Sequence, residues 1–235
     1  MYHKIFPEND STDLTVNTKN FSIHMHYLKK AGYNTITLFQ LIEYLNGNFK
    51  LPEKPVIITF DDAFSCIIKY AKPILDELDF KAVVFVVVNA IGKKNFWDYG
   101  KNVPETKCMD KGELKYLVMS GWEIGSHGLF HKDLTNLSKK ELAQEIKKSK
   151  EKLENLLKIK ITSFCYPYGK YNDEVIKEIK NSGYLCACAV ESKNKSVTEN
   201  PFILRRIYIK SKDSLFTFKR KISNWYLFYR GLRKR

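Results

Sequence analysis

Two adjacent carboxylates, Asp61 and Asp62, stand directly after a short run of residues, 56–60, that is apolar or β-branched throughout. Such a run is typical of a buried strand. In sheet enzymes, ligands gather at the carboxyl ends of strands, so this pair lies where chemistry is usually done. Neighbouring residues at a strand end point in different directions, and the two carboxylates can therefore have different roles. The alternative is that Asp62 only caps the helix that follows.

A second chemical group is the histidine pair His127 and His131, four residues apart and just beyond the strand predicted at residues 122–126. Over a helical turn or a tight loop, this spacing brings two imidazoles to one side, close enough to share a metal ion. A single histidine is more often a structural residue. Two histidines and one aspartate leave coordination positions open, as a catalytic metal requires. Because the Asp61–Asp62 pair ends another strand, the combination favours a catalytic metal site.

The third group is Tyr166-Pro167-Tyr168-Gly169, which follows the strand predicted at residues 161–165. Pro167 fixes the direction of the chain, and Tyr168 presents a backbone N–H together with an aromatic face. This combination suits an oxyanion contact and a sugar ring. The alternative is an ordinary Pro-Gly turn.

These three groups are predicted at strand ends in a chain that alternates strand and helix almost throughout. Strands are predicted at residues 2–6, 33–38, 56–60, 82–89, 122–126, 161–165, 184–190 and 203–209. Helices are predicted at residues 18–31, 38–45, 64–78, 110–120, 138–160, 172–182 and 214–229. Capping boxes are predicted at the starts of two of them, Asp110 with Glu113 and Ser138 with Glu141. Repeated βα units imply a parallel sheet, open or closed into a barrel. The chain contains no internal repeat and no linker, which indicates one domain.

Residues 59–62, 126–131 and 166–169 resemble the first three motifs of the polysaccharide deacetylases with a NodB-type domain, in order and in spacing. The βα pattern extends this resemblance to nearly the whole chain. It implies an α/β fold, a single-domain distorted (β/α) barrel over residues 1–212, followed by a basic, aromatic helix or tail at residues 213–235. It also implies a metal-dependent hydrolase that removes N-acetyl groups from glycans.

By position, the resemblance makes Asp62, His127 and His131 the metal ligands and Asp61 the general base. The backbone N–H of Tyr168 would help the metal to bind the oxyanion. A site of two histidines and one aspartate suits zinc first, with cobalt, nickel or iron as alternatives. The residues expected to contact the substrate are Tyr166, Pro167, Tyr168 and Trp97.

The chain departs from the family pattern in its general acid, because no histidine follows His131. His3, in Tyr2-His3-Lys4-Ile5, resembles the N-terminal Tyr-His motif of a permuted branch that includes the poly-N-acetylglucosamine deacetylases. In that branch this histidine supplies the acid, and His3 is the expected acid here. His24 and His26 are expected to lie on the surface of a helix.

A second departure is Cys165, which stands where the usual members have an arginine that pairs with the base. Arg206 resembles the late arginine of the permuted branch and is expected to replace it, with Arg205 as the alternative. An arginine facing the barrel interior would keep Asp61 ionised. The opposing interpretation is an exposed arginine on a strand.

The chain has 235 residues and a net charge of +14. Charge alone would suit nucleic acid, but no recognised motif supports that class, and none is expected as a partner. The expected partners are an N-acetylated glycan or glycolipid and, through the tail, an anionic membrane surface. The beginning of the sequence has no apolar segment of a secretory signal, and five scattered cysteines suit a reducing compartment. A cytoplasmic location at the inner face of the membrane is expected, with an additional segment upstream of Met1 left open.

Two alternative functions use the same residues. A non-catalytic, glycan-binding relative would explain the missing late histidine and Cys165, although a retained metal-ligand set argues against it. An amide or imide hydrolase acting on a non-sugar substrate would need the same site.

Overall fold

The structure, a computed structural model, describes residues 1–190 and 199–223. The strands are β1 (Lys4–Phe6), β2 (Thr15–Asn17), β3 (Asn34–Thr35), β4 (Pro55–Val56), β5 (Thr59–Phe60), β6 (Val83–Val86), β7 (Glu123–Ser126), β8 (Ser163–Cys165), β9 (Cys186–Ala189) and β10 (Leu204–Arg205). The α-helices within these residues are α1 (Thr18–Lys30), α2 (Leu38–Leu45), α3 (Lys72–Glu77), α4 (Lys111–Met119), α5 (Lys139–Leu157), α6 (Asp173–Asn181) and α7 (Leu215–Ile222).

A parallel sheet of six strands forms the centre, in the order β10-β9-β8-β7-β6-β5. Two short parallel pairs, β1–β2 and β3–β4, accompany it. Helices follow most of the strands of the sheet, as the alternating pattern predicts for a βα fold. The predicted α/β barrel architecture, a distorted barrel in a single domain, is confirmed.

The first residues of the chain lie in the gap between the two edges of this sheet. Tyr2 N–H donates to the carbonyl oxygen of Thr59 at 2.8 Å, and Tyr2 in turn accepts from Asp61 N–H at 3.0 Å. On the other side, the Met1 ammonium donates to Ile207 O at 2.6 Å, and Ile209 N–H donates to Met1 O at 3.2 Å. The amino-terminal residues thus join β5 to the segment after β10 and complete the ring.

Inside the ring, alternate residues of β6 face two different parts of the core. Val83 and Phe85 pack with Leu38 and Leu41 of α2, so this helix fills one part of the interior. The guanidinium of Arg206 lies 5.4 Å from the centre of the Phe85 ring. Phe85 therefore lies between the apolar side chains of α2 and the guanidinium of Arg206.

Capping explains why several helices begin where they do. The predicted capping boxes, Asp110 with Glu113 and Ser138 with Glu141, are both present, and in each the side chain of the cap and that of the third residue bond the opposite backbone N–H. The 19-residue helix α5 ends at Leu157 and is capped by Lys158, which has a left-handed conformation.

Three local predictions differ from the structure. The run at residues 56–60 is divided, because Pro55–Val56 pairs with β3 whereas Thr59–Phe60 pairs with β6. Residues 15–17, expected in a loop, form β2 beside β1. The helix predicted at residues 64–78 is irregular: a π-helical turn, Ile67–Ala71, precedes α3, whose first turn holds Pro73, a residue without a backbone N–H to donate.

His24 is the clearest correction among the individual residues. It was expected on the surface, but its side chain is buried, and its ring stacks on Phe218 with the centroids 4.2 Å apart. Phe218 lies on α7, the described part of the helix predicted at residues 214–229; residues 224–235 are outside the described part of the chain. None of the described helices is long and apolar enough to span a membrane.

Candidate active site

Asp61 is held by Arg206 at the carboxyl end of β5. The guanidinium donates two hydrogen bonds, Nη1 to Oδ1 at 2.6 Å and Nη2 to Oδ2 at 2.8 Å. Both side chains are buried. Burial alone would raise the pKa of Asp61, but the charge and the hydrogen bonds of Arg206 outweigh it and hold this pKa well below its usual range. Asp61 is therefore a carboxylate that stays ionised.

Cys165 is also next to this pair. Its Sγ lies 3.0 Å from Arg206 Nη2 and 3.7 Å from Asp61 Oδ2. The guanidinium, coming from the segment after β10, thus occupies the space beside Asp61 that a longer side chain at position 165 would fill. Arg205, the alternative, is half-buried at the neighbouring position.

His3 approaches Asp61 from the amino-terminal residues that close the barrel. Its Nε2 is 3.9 Å from Asp61 Oδ2, and its ring packs edge-on against Tyr208. Burial lowers the pKa of His3 to about 4, although the charge of Asp61 acts in the opposite direction. The structure thus brings His3, Asp61 and Arg206 together from three distant parts of the chain.

Asp62, the adjacent carboxylate, points to the histidine pair instead. Its Oδ1 is 3.7 Å from His127 Nε2 and 3.4 Å from His131 Nε2. His127 Nδ1 donates to the carbonyl oxygen of Cys165 at 2.7 Å, which fixes the ring and leaves Nε2 free to accept a metal. Asp62 and His131 have left-handed backbone conformations, with φ of 68° and 57°. Such strain in non-glycine residues is common at functional sites.

The electrostatics of this cluster fit a cation. Burial, and then the charge of Asp61, raise the pKa of Asp62, while burial lowers the pKa of both His127 and His131. Among the described residues, Asp62 Oδ1, the oxygen that faces Nε2 of both histidines, is buried without a hydrogen-bond partner. A buried carboxylate oxygen facing two imidazole nitrogens without a hydrogen bond is the donor set that a divalent metal satisfies.

One ligand atom from each of Asp62, His127 and His131 lies within 4.8 Å of the others, as needed to share one ion. Asp61, His127 and Cys165 meet the same distance criterion. In that second set, however, the cationic guanidinium of Arg206 already contacts the carboxylate and the thiol. The first set is therefore the better metal site.

The loop that carries both histidines is supported by a residue that was not among the predicted ones. Glu145, on α5, accepts hydrogen bonds from the backbone N–H groups of Leu129 and Phe130, at 2.9 and 3.0 Å, through the same oxygen. A signal for it existed in the sequence, because Glu145 falls between Leu142 and Ser149 on the face of α5 that the helical spacing turns inward.

Aromatic rings surround His131. Trp97 stacks on its imidazole with the centroids 4.8 Å apart, and Tyr168 lies edge-on at 4.6 Å. Tyr168 also has a left-handed backbone, with φ of 59°, and its side chain is half exposed. Tyr166 and Pro167 are buried, and the Tyr166 hydroxyl donates to Phe202 O. Of the predicted tyrosine–proline motif, Tyr168 is thus the residue that offers an exposed ring.

Known proteins with similar sequences carry deacetylase names. The family model described as polysaccharide deacetylase matches residues 49–187. The Bacillus subtilis (strain 168) protein YxkH, which carries a polysaccharide deacetylase name, is 29% identical over 209 residues, covering 89% of this chain and 70% of its own length. The poly-β-1,6-N-acetyl-D-glucosamine N-deacetylase of Staphylococcus aureus (strain MSSA476) is 28% identical over 223 residues, covering 90% of this chain and 72% of its own.

Among solved structures, the Streptococcus pyogenes deacetylase PplD in complex with acetate superposes with a TM-score of 0.80. The sequences are 24% identical, and the superposition covers 95% of this chain and 96% of that one. At this identity, the likeness concerns the fold.

Proposed function

The chain belongs to the polysaccharide deacetylase family, and we propose that it is a divalent-metal-dependent hydrolase that removes the N-acetyl group from an amino sugar of a glycan or glycolipid. The observation that supports this proposal is that two adjacent carboxylates have different partners. Asp62 faces the two imidazoles of a metal-ligand set, while Asp61 is kept ionised by Arg206.

In this proposal, Asp62, His127 and His131 hold the metal, with zinc as the first expectation and cobalt, nickel or iron as alternatives. When bound, such a metal polarises the amide carbonyl and lowers the pKa of water. The hydrogen bond from His127 Nδ1 to Cys165 O would keep that ring oriented with Nε2 toward the ion.

Asp61 is the proposed general base, because it is ionised, buried and adjacent to the metal ligands. Arg206 keeps it deprotonated in the resting state and prevents it from becoming a metal ligand itself. His3 is the proposed acid for the departing amine, since it is the imidazole nearest to Asp61 outside the ligand set. With its pKa lowered to about 4 it is neutral at rest, and it would give the amine the proton that Asp61 takes from the attacking water.

Tyr168 and Trp97 are the proposed contacts of the substrate. The backbone N–H of Tyr168 would bind the developing oxyanion, and the exposed part of its ring would pack on the sugar. Trp97, which is half-buried, would contribute through the part of its ring that the stacked His131 imidazole does not cover. The relative from Staphylococcus aureus is named for poly-β-1,6-N-acetyl-D-glucosamine, which supports an N-acetylglucosamine polymer as one candidate substrate.

We also propose a peripheral contact with an anionic membrane at its cytoplasmic face, where the substrate would be a lipid-linked amino sugar. The net charge of +14 and the mixture of aromatic and basic residues in the sequence at 225–235 support it. Sedimentation with vesicles of anionic phospholipid, compared with neutral vesicles, tests this contact. Equal binding to both kinds of vesicle would contradict it.

Acetate release tests the proposed reaction. The zinc-loaded protein is incubated with N-acetylglucosamine oligomers and, separately, with a prenyl-phosphate N-acetyl sugar, beside the variants Asp61→Asn and His3→Ala. His26→Ala, at an exposed histidine on α1, is the matched control. We expect release by the wild type and by the control, and a loss of release in the other two variants. Release by Asp61→Asn at the wild-type rate would contradict the proposal.

A further inference from the structure

The loop His127 to His131 joins two proposed metal ligands and is bonded on both of its sides. The carbonyl oxygens of Gly128 and Leu129 accept from the N–H groups of Val88 and Asn89, each at 3.1 Å. These bonds fasten one side of the loop to the segment after β6. The opposite side presents N–H groups, and a different element must satisfy them.

Glu145 on α5 accepts the hydrogen bonds of these N–H groups. Its Oε2 accepts from Leu129 N–H at 2.9 Å and from Phe130 N–H at 3.0 Å, and its side chain is buried, with 3% of the residue exposed. It comes from α5, an element separate from both ligands. Burying a carboxylate costs free energy unless hydrogen bonds compensate for the lost water. The position of Glu145 among the buried residues Leu142 and Ile146 is therefore explained by the bonds that it accepts.

Gly128 shows how closely the carboxylate approaches the loop. A Cβ atom at this position would lie 3.2 Å from Glu145 Oε2, and the backbone there has a φ of +79°. Glycine thus permits both the conformation and the contact. Three consecutive residues of the loop, Gly128, Leu129 and Phe130, thus lie against this one oxygen atom.

We propose that Glu145 is a positioning residue of the metal site, which sets the separation of the His127 and His131 imidazoles by holding the two N–H groups between them. The inference rests on the proposed function, because it assumes that the two histidines bind a metal. Without the carboxylate, the two buried N–H groups would lose their partner, and the loop would relax toward water or another acceptor. His131, already in a strained backbone conformation, is the ligand that such a movement would displace.

Zinc affinity, measured by competition with a chromophoric chelator, tests this inference directly. Three substitutions separate its possible contributions. Glu145→Leu removes the acceptor, Glu145→Gln keeps an acceptor oxygen at the same reach without charge, and Glu145→Asp keeps the charge but shortens the reach. The thermal unfolding of each metal-free variant is recorded in parallel, so that a loss of stability is distinguished from a loss of affinity.

Glu154→Leu is the matched control. Glu154 is a second carboxylate on α5 that accepts a backbone N–H bond, from Ile161 at 3.0 Å, at a place remote from the histidine loop. If the carboxylates of α5 contributed only to stability, Glu145→Leu and Glu154→Leu would have similar zinc affinities. We expect Glu154→Leu to keep the zinc affinity of the wild type.

We expect Glu145→Leu and Glu145→Asp to bind zinc about 10- to 100-fold more weakly, as is usual when a residue behind a ligand is lost. Glu145→Gln should stay within about 3-fold of the wild type, because its amide oxygen can accept both bonds. If Glu145→Leu does not fold, the relative zinc affinities of Glu145→Gln and Glu145→Asp test the inference. Weaker binding by Glu145→Gln than by Glu145→Asp, or unchanged affinity in all variants, would overturn the inference. Absence of zinc binding by the wild type would overturn the proposed function as well.

Discussion

Arg206 and Asp61 are 145 positions apart in the sequence and meet in the barrel interior through two parallel hydrogen bonds, of 2.6 and 2.8 Å. The planar guanidinium matches the carboxylate in a way that a lysine ammonium does not. The arginine comes from the segment after β10, whereas position 165, where the family resemblance predicts an arginine, holds a cysteine. The same pairing is thus achieved from a different part of the chain.

Replacement of Arg206 by Met should damage both stability and turnover. It leaves Asp61 buried without its cation, which costs about 3–5 kcal/mol in the free energy of unfolding. Turnover should fall about 100-fold or more, because Asp61 also loses its fixed orientation. Arg206→Lys should restore only part of this. Chemical denaturation and acetate release measure the two effects.

Cys165→Ala serves as the control for this series. It removes the thiol next to Arg206 but leaves both hydrogen bonds between Arg206 and Asp61. It should keep turnover within a few-fold of the wild type. A stable and active Arg206→Met variant would show that Asp61 does not depend on this arginine.

Removal of the metal should lower stability as well as activity. A metal that binds the folded chain only, present at 100 times its dissociation constant, raises the free energy of unfolding by about 2.7 kcal/mol. We expect this gain for the wild type and for Asp61→Asn, and its loss in Asp62→Ala. Thermal unfolding with zinc and with a chelator measures it. An equal gain in Asp62→Ala would place the metal elsewhere.

The buried ammonium of Lys4 predicts a charge-specific effect. It donates to Asp10 Oδ2 at 2.8 Å, and its side chain has no exposed surface. Asp10→Asn keeps the oxygen that accepts from Thr12, replaces the oxygen that accepts from Thr15 and Lys4 by an amide NH2 group, and removes the charge. It should cost about 3 kcal/mol in the free energy of unfolding. Adding Lys4→Met should recover most of this loss. If the two substitutions are simply additive, the ion pair is not the cause.

His24 predicts a dependence of stability on pH. Burial lowers its pKa from 6.5 to about 4, with the charges of Asp213 and Lys221 acting in opposite directions. Because the unfolded chain binds the proton more readily, stability from this residue is present above pH 6.5 and is lost as the pH falls toward 4. The loss should be about 1–3 kcal/mol.

His24→Phe removes the titrating group while keeping a ring against Phe218. The free energy of unfolding of the wild type, relative to that of the variant, should therefore fall by about 1–3 kcal/mol between pH 6.5 and pH 4. A constant difference across this range would mean that the proton reaches His24 equally well in the folded state.

The sequence was informative where local chemistry decides the structure. Capping boxes located the starts of α4 and α5, and the chemical residues Asp61, Asp62, His127 and His131 were placed at strand ends, which the structure brings to one site. Element type followed from the alternation of strand and helix. These features depend on residues close together in the chain, and a pattern can therefore reveal them.

Features set by distant contacts were missed. Thr15–Asn17 becomes a strand only because β1 lies beside it, and the run at residues 56–60 divides because its two ends pair with different strands. His24 is buried by α7, almost 200 residues later. Glu145 resembles the many other charged residues of α5 until the inward face of that helix is considered.

The closure of the barrel by Met1 and Tyr2 also bears on the order in which the protein can fold during synthesis. Translation supplies about 5–20 residues per second, so the first residues wait for Ile207 and Ile209 for about 10–40 s. The three proposed metal ligands, Asp62, His127 and His131, are synthesised well before that, but Asp61, the proposed base, has no guanidinium beside it until Arg206 follows. On the proposed function, a ribosome-bound intermediate would therefore have all three metal-binding residues before its base is paired with Arg206. Its sheet would still have unpaired edge strands, which can pair with other chains.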